Sequence, residues 1–346
     1  MTAPVAPWQD HFAHQARSCE GLGSPFTARL LRLLAARMRG GAVASRIARW
    51  APEALGPDAV ALRLAGGLHA LVLMQADRAL AAVYPPHRAG DEALWEALAP
   101  ALRAHQAHLL HWLDSAPQTN EIRRSAGLIL AAQQLAVQFP GLPLRLSELG
   151  ASAGLNLQFD RYALQIGGQS WGATDPVLTL TPDWDGPLPP AAPVQVAEAR
   201  GVDLNPLDPG APEDVLRLRS YLWADQPDRR ARLDAALAVA TPRVDRGDAA
   251  AWLAARLARP AEGQLHLVYH TIAWQYFPEA TKTACLASLA EAGARATTRA
   301  PLARLAFEAD GAGPGAGLTL TTWAEGREET RALGRMDFHG RWLTAV

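Results

Sequence analysis

Cysteine is nearly absent. Cys19 and Cys285 are the two in a chain of 346 residues, too far apart in sequence to suggest a disulfide framework or a cysteine-built metal site. No apolar run reaches the ~18–20 residues of a bilayer span. The opening stretch MTAPVAPWQDHF lacks the basic-then-apolar order of a secretory signal. A basic field is missing too: Lys+Arg 33 against Asp+Glu 34 leaves a formal net charge of -1, which argues against nucleic acid or a membrane surface as partner. No segment repeats at a period of 20–50 residues. The expectation from these absences is a soluble, cytoplasmic protein acting on a small molecule.

Apolar side chains make up 49% of the chain and charged ones 19%, enough to bury a sizeable core in one large domain or two smaller ones. Residues 1–117 read as helices. Phe26–Met38 carries Leu30, Leu31, Leu33 and Leu34 on one stripe, and Asp58–Val83 and Asp91–Leu113 keep the same period on either side of Pro85-Pro86. A further helix is expected over Asn120–Phe139 with Asn120 as its N-cap. From Leu144 onward strands alternate with helices, as in a mainly parallel sheet covered on both faces. Helices are expected over Ala153–Tyr162, Pro212–Ala240, Ala249–Leu257 and Glu279–Ala292. The strands expected are Ala197–Pro206, Arg243–Asp248, Gln264–Trp274, Pro301–Phe307, Leu318–Trp323 and Arg341–Val346. The segment 166–193, rich in Pro, Gly and Asp, reads as an inserted hairpin or flap.

The stretch Leu144–Leu157 (LRLSELGASAGLNL) runs from an apolar strand through Glu148, Gly150, Ser152 and Gly154 into a helix start. Such a turn aims backbone N–H groups at one point, where a polar ligand can sit. Tight packing of small residues explains a lone glycine pair equally well. The spacing G-x-x-x-G departs from the dinucleotide fingerprint G-x-G-x-x-G, which disfavours a nicotinamide-dependent oxidoreductase. Later strands each close on a polar residue: Asp203 in GVD, Asp248 in RGD and His270 in VYH. Ligands of open α/β sheets bind outside those carboxyl ends, although each acid alone is more often a helix cap.

The order E-x-G-x-x-x-G-x-N, then GVDLNP, then GDA, then LVYHTIAW resembles the S-adenosylmethionine-dependent (class I) methyltransferase fold over about residues 120–346. With its helical start, the whole chain also resembles an uncharacterised bacterial domain-of-unknown-function family, number 2332, through QTNEIRR, ELGASAGLNL, DLNPLD and HTIAWQYFP. The resemblance implies a Rossmann-like methyltransferase fold, α/β with a mainly parallel sheet and an antiparallel C-terminal edge. A helical region would precede it, with a boundary between 1–117 and 118–346. S-adenosylmethionine would be the cofactor and S-adenosylhomocysteine its product form. Glu148, Gly150, Ser152, Gly154 and Asn156 would surround the methionine part, Asp203 and Leu204 the ribose, Asp248 and Ala249 the adenine, and His270 the sulfonium. The implied function is methyl transfer to a small molecule. The alternative is a cofactor-binding or sensing module without transfer chemistry.

Three departures matter. Asp203 follows Gly154 by 49 positions, and DGAGPGAG (310–317) leaves no room for a helix before the last strands. His270 stands where many methyltransferases carry an acid or Asn-Pro-Pro-Tyr, so an amine- or base-methylating mechanism of that type is not expected. His270 is the candidate base or orienter, because an ordinary imidazole titrates near neutrality. Its plain alternative is a strand-end histidine bonded to backbone. Trp274, Gln275 and Tyr276 could wall an acceptor pocket or simply pack. Asn120, with Glu121, Arg123 and Arg124, is a candidate catalytic or lid group, while capping and a solvated face are the simpler explanations. Asp160-Arg161-Tyr162 is a weaker group of the same kind. His105, His108 and His111 recur in steps of three that drift around a helix, so no metal site is expected. Ser152 lies outside a G-x-S-x-G elbow and is no nucleophile.

Overall fold

The computed structural model describes residues 6–241 and 243–346; the first five residues of the N-terminal stretch lie outside them. Helices come first: α1 (Pro7–Gly21), α2 (Pro25–Arg37), α3 (Gly41–Ala48), α4 (Val60–Leu73), α5 (Arg78–Ala81), α6 (Asp91–Ala104) and α7 (Gln106–Leu113). A 3-10 turn at Ile122–Arg124 leads into α8 (Ser125–Gln138) and β1 (Leu144–Leu149), followed by a 3-10 helix at Leu155–Arg161. Then come β2 (Tyr162–Ile166), β3 (Gln169–Gly172), β4 (Leu178–Leu180), β5 (Asp183–Asp185), β6 (Val196–Asp203), α9 (Pro212–Ser220) and α10 (Pro227–Ala238). The chain closes with β7 (Val244–Arg246), α11 (Ala249–Leu257), β8 (Leu265–Thr271), α12 (Glu279–Ala294), β9 (Leu302–Glu308), β10 (Ala316–Ala324), β11 (Arg327–Met336) and β12 (Trp342–Ala345).

Two compact units result. The first combines the chain up to Thr119 with Gly210–Ala231; the second holds Asn120–Pro209 and Arg232–Val346. In the first unit, Ser24 accepts the Thr27 N–H and Pro25 sets the first turn of α2, whose Leu30, Leu31, Leu33 and Leu34 are all buried. The long helix expected at 58–83 is two helices. Gln75 adopts φ 55° after α4, and Asp77 caps α5 through the Leu80 N–H. The helix expected at 91–113 likewise breaks at His105. His105 Nε2 meets Asp77 at 3.2 Å and His108 Nε2 meets the Gly67 carbonyl at 3.0 Å, so each ring has its own partner.

The second unit is built on a nine-stranded sheet in the order β5-β12-β11-β10-β9-β8-β1-β6-β7. β7, β6, β1, β8 and β9 run parallel, while β9 to β12 form an antiparallel meander. All seven residues of β8 are buried, as a central parallel strand requires, and α11 and α12 cover one face through Leu253, Leu257, Cys285 and Leu289. The segment 166–193 holds β3 and β4, which pair with β2 in a separate three-stranded sheet, and β5, which pairs with β12 at the edge of the large sheet. β11 was not expected. Its sequence REETRALGRM is exposed over its first four residues, so the apolar alternation that marks a strand is missing, and backbone pairing to β10 defines it.

The helix expected at 153–162 is the short 3-10 helix, kinked at Gln158 (φ -105°, ψ 27°). Gln158 donates to the Tyr162 hydroxyl and the Ala236 carbonyl, and the Tyr162 hydroxyl donates to the Leu155 carbonyl. Residues 151–159 are all buried. A segment buried on every side has no solvent face to wind around, and these side-chain bonds take over the backbone groups an α-helix would use.

Candidate functional site

The first cluster forms where β1 and β6 end. Gly150 (φ 71°), Ser152 (φ 53°) and Gly154 (φ 70°) place three left-handed residues in one short turn. For Ser152 this is a costly conformation, of the kind stored at binding sites. The turn is tied to β6 by the Gly150 and Ala151 N–H groups, both donating to the Val202 carbonyl at 2.9 and 3.1 Å. Asp203 continues the tie: one oxygen accepts the Ser152 N–H at 2.8 Å and the other the Asn205 N–H at 2.9 Å. A Cβ on Gly150 would stand 2.6 Å from the Ala273 Cβ, so glycine also lets the loops after β1 and β8 touch.

Asn120 does not cap α8. The chain enters that helix through the 3-10 turn, where Glu121 accepts the Arg123 N–H, and Asn120 instead accepts the Leu155 N–H at 2.7 Å. Arg124 donates to the Thr271 carbonyl at 2.9 Å and the Phe338 carbonyl at 3.1 Å. One short segment therefore braces the loop after β1, the end of β8 and the β11–β12 connection. Asn156 accepts from the Ser125 hydroxyl at 2.8 Å, yet its Nδ2 is buried without a partner, and so is the Ser152 hydroxyl. Buried polar atoms left unsatisfied are rare enough to require an explanation.

Glu148 lies opposite Tyr269 in register and is 1% exposed. Burial pushes its carboxyl well above the usual carboxylate range; the Tyr269 hydroxyl, donating at 3.4 Å, and the nearby Arg124 pull it back only in part, while Asp203 raises it further. Desolvation thus favours the protonated carboxyl, because burial penalises an uncompensated charge.

The second cluster lies where β8 and β9 end. Glu308 Oε1 accepts from His270 Nδ1 at 2.8 Å and from the Ala273 and Trp274 N–H groups at 3.0 and 3.1 Å. Arg304 donates to His270 Nε2 at 3.2 and 2.9 Å. A guanidinium only donates, so Nε2 is the acceptor and the proton sits on Nδ1. Trp274 stacks on His270, with centroids 4.6 Å apart and planes at 21°, and the Arg304 guanidinium lies 4.9 Å from the Trp274 ring centre. Burial lowers the His270 pKa below the ordinary value, against the pull of Glu308. Both ring nitrogens are engaged and the ring is fully buried, so His270 as it stands braces the loop and has no nitrogen left to take a substrate proton. Beside it Ile272, a β-branched residue, adopts φ 51°, its N–H held by the Phe307 carbonyl.

Other residues singled out from the sequence lie differently. Asp248 caps α11 by accepting the Ala250 N–H at 2.9 Å and receives the Thr281 hydroxyl at 3.1 Å; Ala249 is the buried first residue of that helix. Leu204 and Tyr276 are 63% and 71% exposed. Hydrogen bonds join Asn120, Asp203 and the turn 150–156 into one cluster, and the Gly150–Ala273 contact sets the His270 and Trp274 cluster against it. Glu308, Arg304 and Tyr269 were not singled out. Arg304 and Glu308 fall on the same face of β9, two charges in an otherwise apolar strand, and that period-two spacing was the available signal. Among the described residues, no group of three or more His, Cys, Asp or Glu side chains is arranged to hold a metal ion. No helix among them is long and apolar enough to cross a membrane.

The chain belongs to a family described as an uncharacterized protein conserved in bacteria (DUF2332), whose model matches residues 9–345. No curated protein and no solved structure matches it.

Proposed function

We propose that the second unit binds S-adenosylmethionine at the carboxyl ends of β1, β6 and β8 and transfers its methyl group to a small molecule. One observation carries the reading. The chain leaves β1 for β6 and β7 on one side and returns to β8 on the other, so the strand order reverses between β1 and β8, and at that switch point the turn holds the buried, unpartnered Ser152 Oγ and Asn156 Nδ2. These atoms fit a polar ligand: a hydroxyl that donates or accepts, and an amide that donates. S-adenosylmethionine, when bound, supplies an electrophilic methyl carbon on a sulfonium.

The chain's own residues then have distinct tasks. Glu148, whose pKa burial raises, would favour its carboxylate form when a cationic amino group comes near, because the opposite charge compensates what burial penalises. Asp203 is pinned by the Ser152 and Asn205 amides and keeps lone pairs that can accept ribose hydroxyls. Buried surroundings exclude water, and in methyl transfer placement and desolvation supply most of the acceleration. Calorimetry with S-adenosylhomocysteine tests the reading. Micromolar binding weakened by Asp203→Ala is expected; no heat at high micromolar ligand would sink it.

The engagement of both His270 nitrogens favours a second reading, a cofactor-binding or sensing module without turnover. Incubation with methyl-labelled S-adenosylmethionine and a cell-extract metabolite pool separates the two, because a sensor leaves the label on the cofactor.

A further inference from the structure

Glu308 spends one oxygen three times and the other not at all. Oε1 accepts from His270 Nδ1 and two backbone amides, whereas Oε2 is buried and has no partner. The carboxylate is the last residue of β9, at the carboxyl edge of the parallel strands, and its side chain retains 15% of its surface. It cannot turn away without releasing the strained Ile272 turn, whose next two amides it holds. Although burial raises its pKa, the His270 hydrogen bond and the two amides keep the group below the usual carboxylate range, so it is ionised and accepts only.

From this geometry we infer that Glu308 Oε2 binds an N–H or O–H donor of the methyl acceptor, which makes the acceptor an amine or alcohol and not a carboxylate or phosphate. The inference rests on the methyl-transfer reading for the identity of the ligand, but the donor site itself does not. Arg304, hydrogen-bonded to His270, offsets part of the carboxylate's charge, so a neutral hydroxyl or amine suffices and a full ion pair is unnecessary. An anion brought to Oε2 would meet the like charge of a pinned carboxylate. Charge-assisted hydrogen bonds from N–H or O–H to a carboxylate are about twice as strong as neutral ones, which makes an orphaned, pinned oxygen a selective contact.

The test uses the full chain labelled with nitrogen-15 and titrated with ethanolamine, with acetate at equal ionic strength as the control. Ethanolamine should produce saturable shifts at the Ala273 and Trp274 amides and at His270 Nδ1, and acetate should not. Glu308→Gln keeps an acceptor oxygen for the three internal donors but replaces the orphaned oxygen by an NH2 group, so affinity for ethanolamine should fall by about tenfold or more. No saturable shift in the wild type, equal shifts with acetate, or equal affinity in Glu308→Gln would overturn the inference. If Glu308→Gln does not fold, the contrast between ethanolamine and acetate in the wild type still decides. Failure of S-adenosylhomocysteine to bind would remove the cofactor reading and leave the ethanolamine result standing.

Discussion

The loops after β1 and β8 touch at Gly150 and Ala273, and they spend their polar groups in opposite ways. The β8 loop satisfies His270 completely, with both ring nitrogens bonded and Trp274 stacked on the ring. The β1 loop leaves Ser152 Oγ and Asn156 Nδ2 without partners, and burial raises the Glu148 pKa at its base. A chemically versatile side chain is therefore no guide to reactivity. Hydrogen-bonding capacity that the fold has not already used is what the proposed ligand would meet in the β1 turn.

Substitutions in the two loops should separate their roles. The largest effect is expected from Gly150→Val, which forces a β-branched residue to φ 71° and drives a Cβ to 2.6 Å from Ala273. A loss of about 3 kcal/mol or more in denaturant unfolding is expected, with loss of S-adenosylhomocysteine binding. His270→Ala follows, at about 3 kcal/mol, because it strands Arg304 and one donor's share of Glu308 inside the protein. If His270 served chemistry and not packing, the same variant would keep its stability and lose only turnover.

Glu148→Gln probes the other loop through pH. An acid whose pKa is raised on folding binds its proton more tightly in the folded state, so wild-type stability should decline as pH rises above about 4.5, the range in which the unfolded chain ionises. The Gln variant lacks that slope, so the two urea midpoints should converge in acid and diverge toward alkaline pH. Parallel midpoints across the range would contradict a Glu148 pKa raised on folding. The smallest effect belongs to Asp248→Ala, about 1 kcal/mol for a lost helix cap, with Asp248→Asn close to wild type. A fall in S-adenosylhomocysteine affinity in the Asn variant would show that Asp248 does more than cap α11.

Much of this architecture was legible from residue order. Ala249–Leu257 is helical over the range expected from its pattern, and the apolar run around Val268 is the central strand β8. Glycine spacing located the turn after β1, since few other residues tolerate its dihedral angles. Partnership was not legible. Asn120 serves Leu155 across 35 positions, and Glu308 reaches His270 across 38. The charged strand β11 escaped because its pairing is a backbone property with no side-chain period.

The chain's order of residues determined that strands alternate with helices, where β1 turns through its glycines, and which polar residues end the strands. These depend on local backbone preference and on periodic burial, both properties of neighbouring residues. That His270 is consumed by Arg304 and Glu308, that Glu148 lies sealed beside Tyr269, and that Ser152, Asn156 and one Glu308 oxygen remain unspent depends on the assembled fold. Hydrogen-bond capacity is used up by partners from distant segments, and which segments those are is settled when the sheet assembles.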